Sequence, residues 1–267
     1  RSGGDLNFIG TEGKPTVAGG ALTAEAAGTL VLKEDVTSNG SMSLAGDSIV
    51  VGENDTIDLV ANGSGSDLTL NGPVRWDSRA LVLEAGRDLR IEGAMDGRPA
   101  SDAATDGSLS FRYGQASSSG VDGSGREARV RIHAPITLRV GPNFSDQLGS
   151  GGTLENYRVI TQLGDAGSTT GTDLQGMQGN LARNYALGND IDAAATASWN
   201  GGKGFDPIGG SNNRLQGNFH GLGHRIAGLT IVRPDEDDVG LIGGLGKDSR
   251  VSHLRLEEVA VRGQGNV

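Results

Sequence analysis

The chain has 267 residues, 46 of them glycine and only 4% aromatic, with no cysteine. Its 23 Lys and Arg against 33 Asp and Glu leave a formal charge of −10, which opposes binding to phosphate backbones and anionic lipid surfaces. Nucleic acid is therefore a poor partner, a disulfide framework or thiolate metal site is excluded, and no apolar run is long enough for membrane insertion as a helix.

In chain order, short alternating strips centred on Leu6, Leu30, Ile49, Leu68, Leu89, Leu109 and Val130 recur at intervals of 19 to 24 residues. A second, looser series runs between them through Leu22, Leu44, Ile57, Leu59 and Leu83. Strips of this length at period two cannot bury themselves alone, so equivalent strips stack on one another. The pattern predicts an all-β chain forming a parallel β-helix with at least two strands per coil and the seven strip centres aligned in one column. Coils of this size would number about 13, each rising ~4.8 Å. A narrow aliphatic cross-section explains the scarcity of rings, and corners that need positive φ explain the glycine. A Gly-rich sandwich or barrel is the rival arrangement for such closely spaced strands.

A turn-rich stretch over 141–152 divides the clean repeats of 1–150 from a less regular half, 151–267, which is expected to continue the same solenoid. One short helix is predicted near 172–181, with Thr172 or Asp173 as N-cap and Leu174, Met177 and Leu181 on one face. A strand follows, with Tyr185, Leu187 and Ile191 inward around a Gly188-Asn189 turn. Residues 164–171, 198–204, 209–214 and 234–238 read as loops between coils, where a solenoid carries its function.

The second half contains ordered phrases. These include Tyr157-Arg158-Val159-Ile160-Thr161, Asn184-Tyr185-Ala186-Leu187-Gly188-Asn189-Asp190-Ile191, and Trp199-Asn200-Gly201-Gly202 through Pro207-Ile208-Gly209. Gly217-Asn218-Phe219-His220-Gly221-Leu222-Gly223-His224 and Val239-Gly240-Leu241-Ile242-Gly243 through Leu256 complete the set. Together they resemble the filamentous-haemagglutinin-like bacterial adhesins with GLUG repeats. The resemblance implies a right-handed β-helix, export by a two-partner or autotransporter route through an outer-membrane secretion partner, and an adhesive role outside the cell or on its surface. His220 and Leu222 stand where the family's turn usually has Asp and Asn.

Candidate chemistry is sparse. His220 and His224 are four apart, but the glycines between them indicate a turn rather than a helical zinc pair. His133 and His253 fall on predicted strands. Pro234-Asp235-Glu236-Asp237-Asp238 offers hard oxygen ligands, making Asp235, Asp237 and Asp238 weak calcium candidates without the spacing of a helix-flanked calcium loop. Asp190 and Asp192, at period two, could face the same way as a carboxylate pair for glycoside cleavage. Around Gly243-Gly244-Leu245-Gly246-Lys247-Asp248 the phosphate-loop pattern fails at its first glycine and at the Ser or Thr, and no serine-hydrolase elbow or cofactor motif exists. Asn39, Asn54, Asn62 and Asn143 begin glycosylation sequons.

Trp76, Trp199 and the neighbouring Asn200 are the candidate glycan contacts, because an indole face beside amide groups can stack on a sugar ring. The resulting expectation is a non-enzymatic adhesin segment that presents loops to a host or biofilm glycan or a surface receptor. The alternatives are a polysaccharide-cleaving enzyme on the same scaffold, or a ligand-free stalk of a secreted toxin or adhesin.

Overall fold

A computed structural model describes residues 1–8, 16–52, 56–76, 79–98 and 107–265. The chain divides into two compact units, one of residues 1–138 with 142–156 and one of 139–141 with 157–267. Both are all-β and built from parallel strand pairs, a repeating β-solenoid-like architecture.

The first unit winds through three faces per coil. The first face takes Leu6–Phe8, Thr29–Leu32, Ser48–Val51, Val74–Trp76, Met95–Gly97 and Ile136–Leu138. The second takes Thr16–Ala18, Val36–Ser38, Thr56–Ala61, Ala80–Ala85, Ser108–Tyr113 and Gly141–Leu148. The third takes Leu22–Glu25, Met42–Ala45, Leu68–Asn71, Leu89–Ile91 and Val130–Ile132. Alternation sends every second side chain inward, and parallel register stacks those residues into ladders. Leu30, Ile49, Val74, Met95 and Ile136 form one buried ladder. On the second face Val36, Leu59, Leu83 and Phe111 form another, and on the third Met42, Leu68 and Leu89 a third.

The single column expected for the seven strip centres is therefore corrected. Leu6, Leu30 and Ile49 share the first face, Leu68, Leu89 and Val130 the third, and Leu109 stands on the second. Coils differ in length, so a constant stride of about 20 residues drifts from one face to another.

Glycine serves close approach as well as positive φ. Where the third face turns into the first, Gly46, Gly72 and Gly93 stack on consecutive coils. A Cβ on Gly93 would stand 2.0 Å from the Gly72 carbonyl oxygen, and one on Gly72 2.2 Å from that of Gly46. Gly86 meets the Gly63 carbonyl oxygen in the same way at 1.9 Å. Of these, Gly72 alone also has a positive φ, 140°.

In the second unit, the hydrogen bonds Gln175 to Asp206 and Arg225 to Asp190 join residues 31 and 35 apart, against 20 and 24 for Arg87 to Asp67 and Thr29 to Asp5 in the first unit, where the longest loop excursion stretches the span to 41 from Arg129 to Asp88. Coils as long as those of the second unit hold fewer turns than the uniform count of about 13 supposes. Tyr185, Phe219 and Val251 stack in one ladder, Ile191, Ile226 and Leu256 in a second, and Ile231 with Val261 in a third. Further bridges join Ile208 to Ile242 and Leu215 to Leu245. Tyr185, Leu187 and Ile191 point inward as the sequence pattern predicts.

The helix expected near 172–181 is a single 3-10 turn, Gln175–Gly179, with Leu174, Met177 and Leu181 buried beneath it. Asp173 organises its entry by accepting the Gly176 N–H at 2.6 Å and the Thr170 hydroxyl at 2.5 Å. A Cβ at Gly179 would meet the Thr169 carbonyl oxygen at 1.9 Å, so this short turn is pressed against its own approach loop. Residues Ala194–Gly202 hold two short 3-10 turns separated by non-helical backbone at Trp199, Asn200 and Gly201, the kink falling in the loop that the sequence predicts over 198–204.

Candidate functional site

The second unit carries an open cleft of about 440 Å³. Gln175 and Gln178 come from the 3-10 turn, Asp206 from the next coil's loop, and Arg233, Glu236 and Asp238 from the acidic loop one coil further on. The two glutamines act as substitute backbone. Gln175 donates to the Asp206 carbonyl and accepts its N–H, both at 3.0 Å, while Gln178 donates to the Pro207 carbonyl and accepts the Gly209 N–H at 3.1 Å. On this side loop 205–210 is held by side-chain amides, while Ile208 bridges to Ile242 on the other, and the amides of both glutamines are satisfied.

Arg233 is the buried cation of the cleft. Its guanidinium donates to Asp206 and, at 3.1 and 3.3 Å, to Glu236, which also meets Lys203 at 3.4 Å. The hydrogen bond from Arg233, outweighing slight burial, holds the Glu236 carboxyl below its ordinary range. Asp235 and Asp237 are exposed, Asp238 is half-buried with a positive φ of 57°, and Asp237 and Asp238 line the cleft. Among the described residues no group of three or more His, Asp or Glu side chains is placed to hold a metal ion. The acidic loop is thus organised by arginine.

Trp199 and Asn200 lie beside this cleft. The Trp199 ring is half-buried and stacked on Phe205, with centroids 6.4 Å apart and planes at 20°. Asn200 is exposed in a left-handed conformation, and its amide donates to the Gly204 carbonyl at 2.7 Å and to the cleft's Asp206 carboxylate at 3.2 Å. The edge of an indole, an amide and a carboxylate thus meet on one loop. Trp76 is different. It is fully enclosed, aligned on Val51, and unable to offer its face to a sugar, which removes it from the candidate glycan contacts.

The carboxylate pair separates. Asp190 accepts His224 Nδ1 at 2.9 Å, the Arg225 N–H at 3.2 Å and the Arg225 Nε at 3.0 Å. Burial pushes its carboxyl up, but the hydrogen bonds from His224 and Arg225 and their charges bring it below the ordinary value. A proton donor for glycoside cleavage needs the opposite shift. Asp192 caps the following turn through the Ala194 N–H at 2.9 Å.

His220 and His224 are both buried, His220 at the end of the strand Phe219–His220 and His224 just past the turn that follows it. His220 accepts the Leu222 N–H at 3.0 Å and stacks on His253, with ring centroids 4.8 Å apart. Leu222 takes a left-handed conformation with φ 49°. His133 and His253 lie in bends just after their strands, and His133 contacts Glu92 at 2.6 Å. Asn54 lies outside the described residues.

No family model matches the chain, and no solved structure matches it. Over 129 residues, 45% of its length, it is 39% identical to "Halomucin" of Haloquadratum walsbyi. Over 110 residues, 40% of its length, it is 36% identical to a protein of Evansella cellulosilytica described as "Putative Gly-rich membrane protein". These stretches cover 1% and 12% of the two relatives, so the chain spans a small part of either. Among the described residues no helix is long and apolar enough to cross a membrane.

Proposed function

We propose that this chain is a non-enzymatic segment of a large secreted or cell-surface adhesin, a right-handed β-solenoid scaffold that presents its loops to a glycan or surface receptor. Its place is extracellular or on a bacterial surface, and its parent is exported through an outer-membrane secretion partner, as the GLUG-like phrases suggest. The observation that carries the reading is the loop of Trp199 and Asn200. An amide that bonds the cleft's Asp206 and, next to it in the chain, a half-buried indole stacked on Phe205 are held by a scaffold whose inward residues are committed to ladders. Rigid stacked coils hold such a loop at little entropic cost on binding. The small share of each relative that the chain matches supports reading it as one segment of a longer protein.

The test is a glycan array read with the wild-type chain and with Trp199→Ala. Loss of a glycan signal by about tenfold or more, as expected for removal of a stacked ring, supports the reading. Release of reducing ends or unsaturated products from a bound polysaccharide would overturn the non-enzymatic part. Absence of any glycan or receptor binding would leave a spacer role in its place.

A further inference from the structure

In the first unit, the corner where the second face passes into the third gathers Arg87, Arg90, Arg126, Arg129 and Arg131 on a chain of net charge −10. Asp67 accepts Arg87 through two bonds of 2.8 and 2.9 Å and Arg90 at 3.0 Å. Asp88, fully buried, accepts Arg126 Nη2 at 2.5 Å and the Arg129 N–H at 3.0 Å, with Arg90 and Arg131 at 3.8 and 3.9 Å. Asp122 is taken up by its own turn, accepting Ser124 and the Arg126 N–H, and Glu127 is exposed. The arginines outnumber these carboxylates. Arg90 and Arg131 are moreover register partners, two like charges on neighbouring rungs.

Beside this cluster is a pocket of about 120 Å³. Gly86, Gly114 and Ala128 line it without bulk, beside Arg87, Arg126, Ser117 and Asp122, whose Oδ1 is taken by Ser124 and the Arg126 N–H. Ser117 Oγ and Arg126 Nη1 are buried without a hydrogen-bond partner. A buried donor left unmatched costs about 1–3 kcal/mol, so two in one lining indicate a missing acceptor. At ~30 Å³ per water the pocket has room for about four waters, enough for a carboxylate or sulfate but not a whole sugar.

We infer that this pocket is a subsite for the carboxylate or sulfate of an anionic saccharide, with Arg126 and Ser117 as its donors and Arg87 beside them in its lining. The inference rests on the glycan-display reading above and adds a second site with a defined ligand charge. The Ser117 hydroxyl and Arg126 Nη1 donate to the anion while Arg126 Nη2 stays on Asp88. A charge-assisted bond from Nη1 beside a hydroxyl donor gives the site its preference for oxyanions.

The experiment is calorimetric titration of the whole chain with a galacturonate trisaccharide, its neutral methyl ester and inorganic sulfate. The acid is expected to bind at least about tenfold tighter than the ester and to weaken with rising salt. Arg126→Gln and Ser117→Ala should each weaken it by about fivefold or more. Ala116→Trp, which fills the pocket mouth without changing charge, should do the same, and thermal melting identifies any variant that fails to fold. Equal affinity for acid and ester, or acid binding unaffected by Ser117→Ala and Ala116→Trp, overturns the inference. Sulfate binding without saccharide binding also overturns it, as an inorganic-anion site. If array glycans bind and depend on Trp199 while the galacturonate does not bind, the pocket assignment fails and the display reading stands. If no glycan binds in either experiment, both fail.

Discussion

Trp76 fills the interior only because Gly97, on the next coil, has no side chain. A Cβ on Gly97 would stand 2.0 Å from Trp76 Cζ2. On the coil before, Trp76 is in register with Val51. An indole thus enters a ladder of aliphatic residues by taking the volume of two successive rungs. Gly97→Ala is expected to destabilise the first unit by about 1–3 kcal/mol through overpacking, measured by urea denaturation. Trp76→Leu in the same background should recover part of that loss, because the two positions share one space.

The glycines separate into two classes that a substitution series distinguishes. Gly86→Ala places a methyl group 1.9 Å from the Gly63 carbonyl oxygen, whereas Gly123→Ala meets nothing within 4 Å. Melting should drop by several degrees for the first and stay unchanged within error for the second. The contrast follows from the rigidity of a backbone oxygen held in the neighbouring coil.

Asp88 is fully buried and accepts Arg126 and the Arg129 N–H, while the arginine side chains around it stay partly exposed. Asp88→Ala should cost about 1–3 kcal/mol by denaturant unfolding, through the donors it leaves unmatched. Arg90→Gln, partly exposed and shared between Asp67 and Asp88, should cost less, under about 1 kcal/mol.

Stability should depend on pH through His220. Its burial, then the charges of His253 and Arg250, hold the folded-state imidazole well below its ordinary 6.5, and Tyr157 packs edge-on against the same ring. The folded protein keeps His220 neutral while the unfolded chain takes up a proton. The stabilisation is therefore present above about pH 6.5 and falls as pH drops, by at most ~1.4 kcal/mol per pH unit for one proton. His220→Gln should flatten this slope in urea titrations between pH 7 and 5. Asp67 and Asp190 have lowered folded values and contribute their own loss in the carboxylate range, below that window.

The alternation that buries Leu30, Ile49, Leu68 and Leu89 was legible in the residues, and so was the stacking of such strips into coils. Face assignment was not. A strip such as Leu68-Thr69-Leu70 carries the same pattern on any of the three faces, and unequal corner loops let Ile49 and Leu68 mimic a full turn although they belong to one coil. In the candidate site, Trp199 and Asn200 were visible as a loop pair, while Asp206 and Arg233 were missed because their meeting depends on coil length. Trp76, expected as a glycan contact, is an interior ring, and Gly97 one coil later is the signal of the space it fills. The Arg87–Arg131 cluster was signalled only by the local density of arginine in an acidic chain.

The Gly46, Gly72 and Gly93 seam also fixes where this scaffold can grow. At every passage from the third face to the first, as from Met42–Ala45 to Ser48–Val51 and from Leu68–Asn71 to Val74–Trp76, only two or three residues intervene. The excursion through 114–129 leaves instead from the second face. A seam with no room for even one methyl group behaves like the bound spine of a book: extra chain can be let out only along the open margins, and those margins are where new loops can be tried without disturbing the winding.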